Sequence, residues 1–177
     1  NARKHDSQDI CFVPDGDYVG FMEQYTGKHY PAGDYLDLEG NKVGTHEGAV
    51  RYTIGQRRGL RLPMGDRVYV CGKDMEKNTV TVGPESALFA SRVIVRDMNW
   101  ISIPALTGEM RVKAKLRYRQ KEQPAVASPL ADGHILLTFD EAQRAPAVGQ
   151  AAVLYDGDTV VGGGTICAVP ADTEDCV

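Results

Sequence analysis

Cys11 stands between a polar run, Asp6-Ser7-Gln8-Asp9, and an apolar pair, Ile10 and Phe12, with Arg3, Lys4 and His5 a few residues upstream. Nearby positive charge favours thiolate, the nucleophilic form of cysteine, so Cys11 is a candidate to attack an electrophile or carry a transferable group. The plainer reading of any cysteine is a small apolar filler. That reading suits Cys71 and Cys167, which sit in strand-like apolar settings, while Cys176 falls incidentally in an acidic tail. The cysteines lie far apart with no Cys-x-x-Cys pair, which argues for reduced thiols and against a zinc site or a dense disulfide framework. His5, His29, His46 and His134 also lack metal-ligand spacing and form no nucleophile-activating triad, so none is assigned catalysis.

A second chemistry is electrostatic. From Arg111 to Lys121 every odd position is cationic (Arg111, Lys113, Lys115, Arg117, Arg119, Lys121), and Val112, Ala114, Leu116 and Tyr118 occupy even positions. Strand side chains alternate faces, so the pattern predicts a cationic row on one face and a core-directed row on the other. Same-face residues recur at about 6.5–7 Å, close to the phosphate spacing of an RNA strand, and no Asp or Glu interrupts the row. Such a row suits a polyanion; the bland alternative is a solvated face whose charges prevent edge-to-edge aggregation. Arg57 and Arg58, in a loop bracketed by Gly55 and Gly59, are weaker candidates for phosphate, set against ordinary solvated arginines. The Gly162-Gly163-Gly164 tract lacks the following Lys-Ser or Lys-Thr of a phosphate-cradling loop, so it predicts a close backbone approach or a sharp bend at a sheet seam.

The elements that must position these residues are mainly β. Asp15 or Asp17 can cap a short helix in which Tyr18, Phe21, Met22 and Tyr25 fall at helical spacing and which Gly27 helps to end. Strand-like runs follow at Tyr35–Leu38, Val50–Ile54, Arg67–Val70 and Thr79–Val82, the last two pairing as a hairpin. Gly83-Pro84-Glu85-Ser86 marks a boundary. Beyond it, runs at Arg92–Arg96, Met110–Arg119, Ala125–Ala127, His134–Phe139, Ala151–Tyr155 and Thr159–Val161 predict a small closed barrel of six strands. With 177 residues, 42% apolar and 25% charged, two small packed units are feasible. A net charge of −4 argues against nucleic-acid binding through bulk charge and leaves only a local stripe. No run approaches the roughly 20 apolar residues of a membrane span, and the polar first residues carry no secretory pattern, so a cytoplasmic protein without membrane contact is expected.

Several separated motifs together resemble the tRNA-specific 2-thiouridylases: Asp6-Ser7-Gln8-Asp9-Ile10-Cys11-Phe12; Gly44-Thr45-His46-Glu47-Gly48 running into Tyr52-Thr53-Ile54-Gly55-Gln56-Arg57-Arg58-Gly59-Leu60; Arg117-Tyr118-Arg119-Gln120; and Val161-Gly162-Gly163-Gly164-Thr165-Ile166. The resemblance covers nearly the whole chain in the family's order. It implies the end of an adenylating domain in residues 1–14, a small central α+β or β domain in 15–84, an elongation-factor-like six-stranded β-barrel in 85–171 and a tail in 172–177. It implies Cys11 as the catalytic cysteine that receives sulfur as a persulfide, and Arg117, Tyr118 and Gln150 as tRNA contacts; Lys113, Lys115 and Arg119 join them through the cationic row. Strict alternation would set Arg117 and Tyr118 on opposite faces, and Val148 stands where the family usually has Pro before Gly149-Gln150. The family adenylates the uridine C2 oxygen with ATP, bound by the amino-terminal domain, and displaces it with sulfur supplied by a sulfur-relay protein or cysteine desulfurase. Its ATP loop and first active-site cysteine are absent from this sequence, so the expectations are no cofactor in the fragment and no thiolation by it in isolation. The rival reading is a non-enzymatic RNA-binding or protein-docking β-barrel in which Cys11 is only structural.

Overall fold

The computed structural model describes residue 13, residues 17–62 and residues 67–170. Cys11 and Cys176 lie outside the described residues, as does Asp15. Helix α1 (Tyr18–Thr26) starts where the Asp17 carboxylate accepts the Gly20 amide hydrogen at 3.0 Å, and ends where Gly27 turns left-handed, at φ 66°, and donates to the Glu23 carbonyl. Its predicted apolar face is not core here: Val19 is buried, whereas Tyr18 is 45% and Tyr25 82% exposed. The period-3.6 pattern correctly marks a helix but does not reveal what, if anything, its aromatic side packs against.

Four strands follow, β1 (Gly33–Leu36), β2 (Lys42–His46), β3 (Tyr69–Asp74) and β4 (Thr79–Gly83), in the spatial order β2-β1-β4-β3. The predicted β3–β4 hairpin is present, with Val70 opposite Val82, and Asp74 organises its turn by accepting the Glu76 and Lys77 amide hydrogens. Asn78, left-handed at φ 51°, ties the next segments together: its side chain donates to the Pro31 and Ala32 carbonyls and accepts from the Ala49 amide. The predicted strand at Val50–Ile54 is not formed. Residues Ala49–Arg51 make one 3-10 turn after Gly48 at φ 104°, Lys73 donates to the Tyr52 carbonyl, and Gly55 and Gln56 exchange backbone hydrogen bonds with Val70. Local partners thus satisfy a backbone that a strand would have satisfied by pairing.

The apolar side of this sheet packs Tyr35, Ala49, Tyr52, Leu60, Val70, Val80 and Val82. His46 is 2% exposed among them, its ring 5.1 Å from Tyr35 and 5.4 Å from Tyr52. Nδ1 accepts the Gly48 amide hydrogen at 3.0 Å, which puts the proton of the neutral ring on Nε2.

A 3-10 turn at Glu85–Leu88 leads into the closed barrel of six strands, β5 (Phe89–Trp100), β6 (Met110–Lys115), β7 (Gln123–Pro129), β8 (Ile135–Arg144), β9 (Ala151–Asp156) and β10 (Thr159–Ala168), ordered β10-β5-β8-β7-β6-β9. Alternate residues fill its interior, including Val93, Val95, Val112, Ala114, Ala125, Ala127, Leu137, Leu154 and Ile166. The fold is therefore mainly β, a six-stranded barrel beside a smaller α+β unit, as expected. The glycine tract lies inside β10 rather than after it. A Cβ on Gly162 would sit 2.7 Å from the Asn99 carbonyl oxygen, and one on Gly164 would sit 2.5 Å from that of Arg96. The tract is the close approach that lets β10 pair with both β5 and β9.

Burial holds the His46 pKa below its ordinary 6.5, and the Asn78 backbone and the Asp34 carboxylate only partly oppose this. The unfolded chain therefore binds a proton that the folded chain resists, so stability is complete above the unfolded value and falls as pH drops through it. Urea unfolding between about pH 5 and about pH 7.5 should show this loss. The variant His46→Asn, which keeps an acceptor for Gly48, should lose about 1–3 kcal/mol at neutral pH through poorer packing and have a flatter acid limb; an unchanged acid limb would remove His46 as its cause.

Candidate nucleic-acid interface

Strand β6 starts as the alternation predicts. Val112, Ala114 and Leu116 are buried in the barrel, Arg111 and Lys113 are exposed, and Lys115 is half-buried. The six-charge row is not continuous, however, because the strand ends at Lys115 instead of running to Arg119. The chain bends at Leu116 and turns, closed by the Gln120 amide donating to the Arg117 carbonyl at 3.1 Å. Two side chains tether the bend. Arg117 directs its guanidinium back to the Ala145 carbonyl, and Gln120 donates to Gln143 at 2.7 Å, itself buried and donating to the Glu141 carbonyl. Alternation in sequence does not register a turn whose cause is a partner about 28 residues away.

The row is also partly neutralised. Arg111 makes a two-pronged ion pair with Asp140 on β8, and each partner stabilises the charged form of the other, holding the Asp140 carboxyl below its usual range. Among the described residues neither Lys113 nor Lys115 has such a carboxylate partner. Lys121 lies beyond the turn, and Arg119 projects from it, exposed.

The bend removes the difficulty of placing Arg117 and Tyr118 on opposite faces. Tyr118 sits in the turn, 91% exposed, with the Lys115 ammonium 5.9 Å from its ring centroid. Strands β6 and β9 are antiparallel with Lys115 opposite Val153, so the Arg117–Tyr118 turn and Gln150, just before β9, lie at the same end of the barrel. Gln150 is half-buried, and its backbone is fixed: its amide donates to the Ala147 carbonyl, and its carbonyl accepts from Ile166 at 2.8 Å. Gly149, left-handed at φ 88°, donates to Ile166 in turn. This tight connection forms with Val148, 65% exposed, in the position before Gly149.

Chemically, that end offers an exposed aromatic face, an amide and several cations, a combination able to stack a base and neutralise phosphates. Of the remaining candidates, Cys71 is half-buried and burial pushes its thiol pKa up, and Cys167 is half-buried with its sulfur 3.4 Å from the Ile94 carbonyl, so both fit the filler reading. No cluster of three or more His, Cys, Asp or Glu able to hold a metal occurs among the described residues. The Gly162–Gly164 backbone is paired inside the barrel and gives no cradle for nucleotide phosphates. Sequence reasoning passed over Arg61 and Arg67, which with Arg57 line a depression in the central unit; the available signal was four arginines between positions 57 and 67.

Arg117 is thus a tether as well as a cation. Arg117→Ala should lower stability by about 1–3 kcal/mol, as removal of a charged hydrogen-bond donor does, while Arg119→Ala stays within about 0.5 kcal/mol. Equal shifts of the two variants in urea unfolding would contradict the tether.

Comparison with known proteins agrees with this architecture. Residues 19–84 match the tRNA methyl transferase PRC-barrel domain and residues 90–166 the aminomethyltransferase β-barrel domain. The tRNA-specific 2-thiouridylase of Acetivibrio thermocellus is 48% identical over 165 residues, 93% of this chain and 46% of that protein. Those of Heliobacterium modesticaldum and Clostridioides difficile are 47% and 44% identical, over 93% and 92% of this chain and 43% and 45% of theirs. The chain thus spans about half the length of these relatives. Shared sequence across both structural units, with matching domain descriptions, makes this chain a member of the tRNA-specific 2-thiouridylase family.

Proposed function

We propose that this chain is the sulfur-delivering and tRNA-holding part of a cytoplasmic tRNA 2-thiouridylase. On this reading residues 15–84 and 85–171 are its central and barrel domains, residues 1–14 end a preceding adenylating domain, and 172–177 form a tail. ATP belongs to that preceding domain, where it would adenylate the uridine C2 oxygen so that the oxygen can leave with AMP. The isolated fragment is therefore inactive.

Cys11 carries the sulfur. A sulfur-relay protein or cysteine desulfurase loads it as a persulfide, whose terminal sulfur is more acidic and more nucleophilic than a plain thiol. That sulfur bonds to C2 of the activated wobble uridine as the activated oxygen departs. A second cysteine, outside this chain, then attacks the Cys11 sulfur; the S–S bond breaks toward the uridine sulfur and a protein disulfide forms. A reductant must restore both thiols before another turnover.

Lys113, Lys115, Arg117, Tyr118, Arg119 and Gln150 hold the tRNA. The observation that carries this is the exposed Tyr118 ring beside Lys115 at the barrel end that also bears Arg117 and Gln150. Tyr118 is suited to stack on a base, the lysines and Arg119 to meet phosphates, and Arg117 to keep the turn in place.

Two experiments test the two halves. In the full-length protein, Cys11→Ser should abolish 2-thiouridine in tRNA, read by mass spectrometry of tRNA nucleosides from cells whose only copy is the variant; normal 2-thiouridine would reject the sulfur-carrier role and favour a structural Cys11. For the fragment, Lys113→Glu with Lys115→Glu should weaken tRNA binding about tenfold or more and reduce the slope of log affinity against log salt by about 2. Unchanged affinity and slope would reject the cationic face.

A further inference from the structure

We infer that the loop of the central unit running from Gly55 to Arg61, with Arg67, is a second anchoring site, which takes a backbone phosphate of the bound RNA. The inference rests on the reading that this chain binds tRNA, but concerns residues remote in sequence from the barrel turn.

The loop is built rather than merely exposed. Gly55 and Gly59 sit at φ 86° and 79°, conformations that favour glycine, and Arg61 is left-handed at φ 51°. Gln56 staples it: its side-chain oxygen accepts the Thr53 amide at 3.0 Å and its side-chain nitrogen donates to the Arg58 carbonyl at 3.0 Å. Reciprocal backbone hydrogen bonds, Gly55 to Val70 at 2.8 Å and Val70 to Gln56 at 2.9 Å, bolt the loop to β3, and Leu60 is buried in the central core. What this rigid turn presents outward is positive. Arg57, Arg61 and Arg67 line a depression of about 280 Å³ together with Gly59, Leu60, Leu62 and Val68, and no acidic side chain lines it among the described residues.

Arg61 is paired with Glu47 at 2.6 Å, so it shapes the wall and contributes little net charge. Arg57 and Arg67 are exposed and have no ion pair with a described carboxylate. Guanidinium groups held around a shallow polar depression match phosphate oxygens through paired N–H donors, and an exposed backbone at Gly59 allows close approach. Among the described residues every charged side chain that lines the depression is an arginine, which favours a polyanion over a folded protein partner.

The test is binding of unmodified tRNA by the whole chain, measured against salt concentration, for the wild type, for Arg57→Gln with Arg67→Gln, for Arg57→Lys with Arg67→Lys, and for the barrel variant Lys113→Glu with Lys115→Glu. The Gln pair should weaken affinity about tenfold and flatten the log–log salt slope by about 1–2. The Lys pair should restore the slope but only part of the affinity, because an ammonium keeps the charge and loses the fork. That difference between Gln and Lys would not follow from a structural role, and equal urea midpoints exclude misfolding of the exposed-site variants.

A wild-type slope in the Gln pair, with a reduced slope in the barrel variant, would overturn this site and leave the barrel reading standing. Salt-independent or absent tRNA binding by the wild-type chain would overturn both. Inorganic phosphate, compared with chloride at equal ionic strength, should not displace tRNA; displacement that is lost in the Gln pair would mean that the depression takes free phosphate, and would overturn its assignment to RNA.

Discussion

Closure of the barrel through β10 is the constraint on which the other features rest. A six-stranded sheet closes only if its last strand can pair on both edges, and β10 does so with β5 and β9. The register slips between Gly163 and Thr165, opposite a β5 segment in which Asp97 takes a left-handed φ of 54°. Any side chain at Gly162 or Gly164 would collide with backbone oxygen, so the strands could not draw together at that seam. Closure in turn fixes the inside and outside of every strand. That is why Val112, Ala114 and Leu116 are buried and the intervening cations face outward.

Ala145 transmits this order to the rest of the chain. It is 1% exposed and left-handed at φ 53°, its amide donates to the Leu88 carbonyl, and its carbonyl receives the Arg117 guanidinium. A Cβ at Gly55 would meet the Ala145 Cβ at 3.2 Å, so the start of the arginine loop abuts the same residue. Arg144, next in the chain, pairs with Glu85 at 3.2 Å and lies over the Tyr69 ring. The barrel turn and the central loop thus share one packed junction of Tyr69, Leu88 and Ala145. If both surfaces meet RNA as proposed, holding them in fixed relation favours binding of a structured RNA over two sites on a flexible tether, because their relative geometry is settled before binding.

Periodicity and turn chemistry made much of this fold readable. Asp17, Gly27 and the spacing after Tyr18 specified the helix, and the six strand-like runs after Gly83–Ser86 specified the barrel strands. Strand β2 (Lys42–His46) was not among the expected runs, and two other failures share one cause. The strand expected at Val50–Ile54 and the continuation of β6 past Lys115 were both displaced by partners distant in sequence, Val70 and Lys73 in one case and Gln143 and Ala145 in the other. The same kind of distance hid the Asp140 partner of Arg111, which lies 29 residues away. A cationic period in sequence specifies where charges point along a strand; which of them stay unpaired is decided by neighbouring strands.

The remaining thiols bear on the sulfur chemistry assigned to Cys11. A persulfide is vulnerable to any competing thiolate, which would take its terminal sulfur or form the wrong disulfide. Cys71 faces the cleft between sheet and barrel, yet burial raises its pKa and so keeps it in the unreactive thiol form. Cys167 sits half-buried on β10 with its sulfur donating to the Ile94 carbonyl. On the proposed function, a part that passes one sulfur atom to one nucleotide is better served by scaffold cysteines that are packed away, and Cys71 and Cys167 are both half-buried.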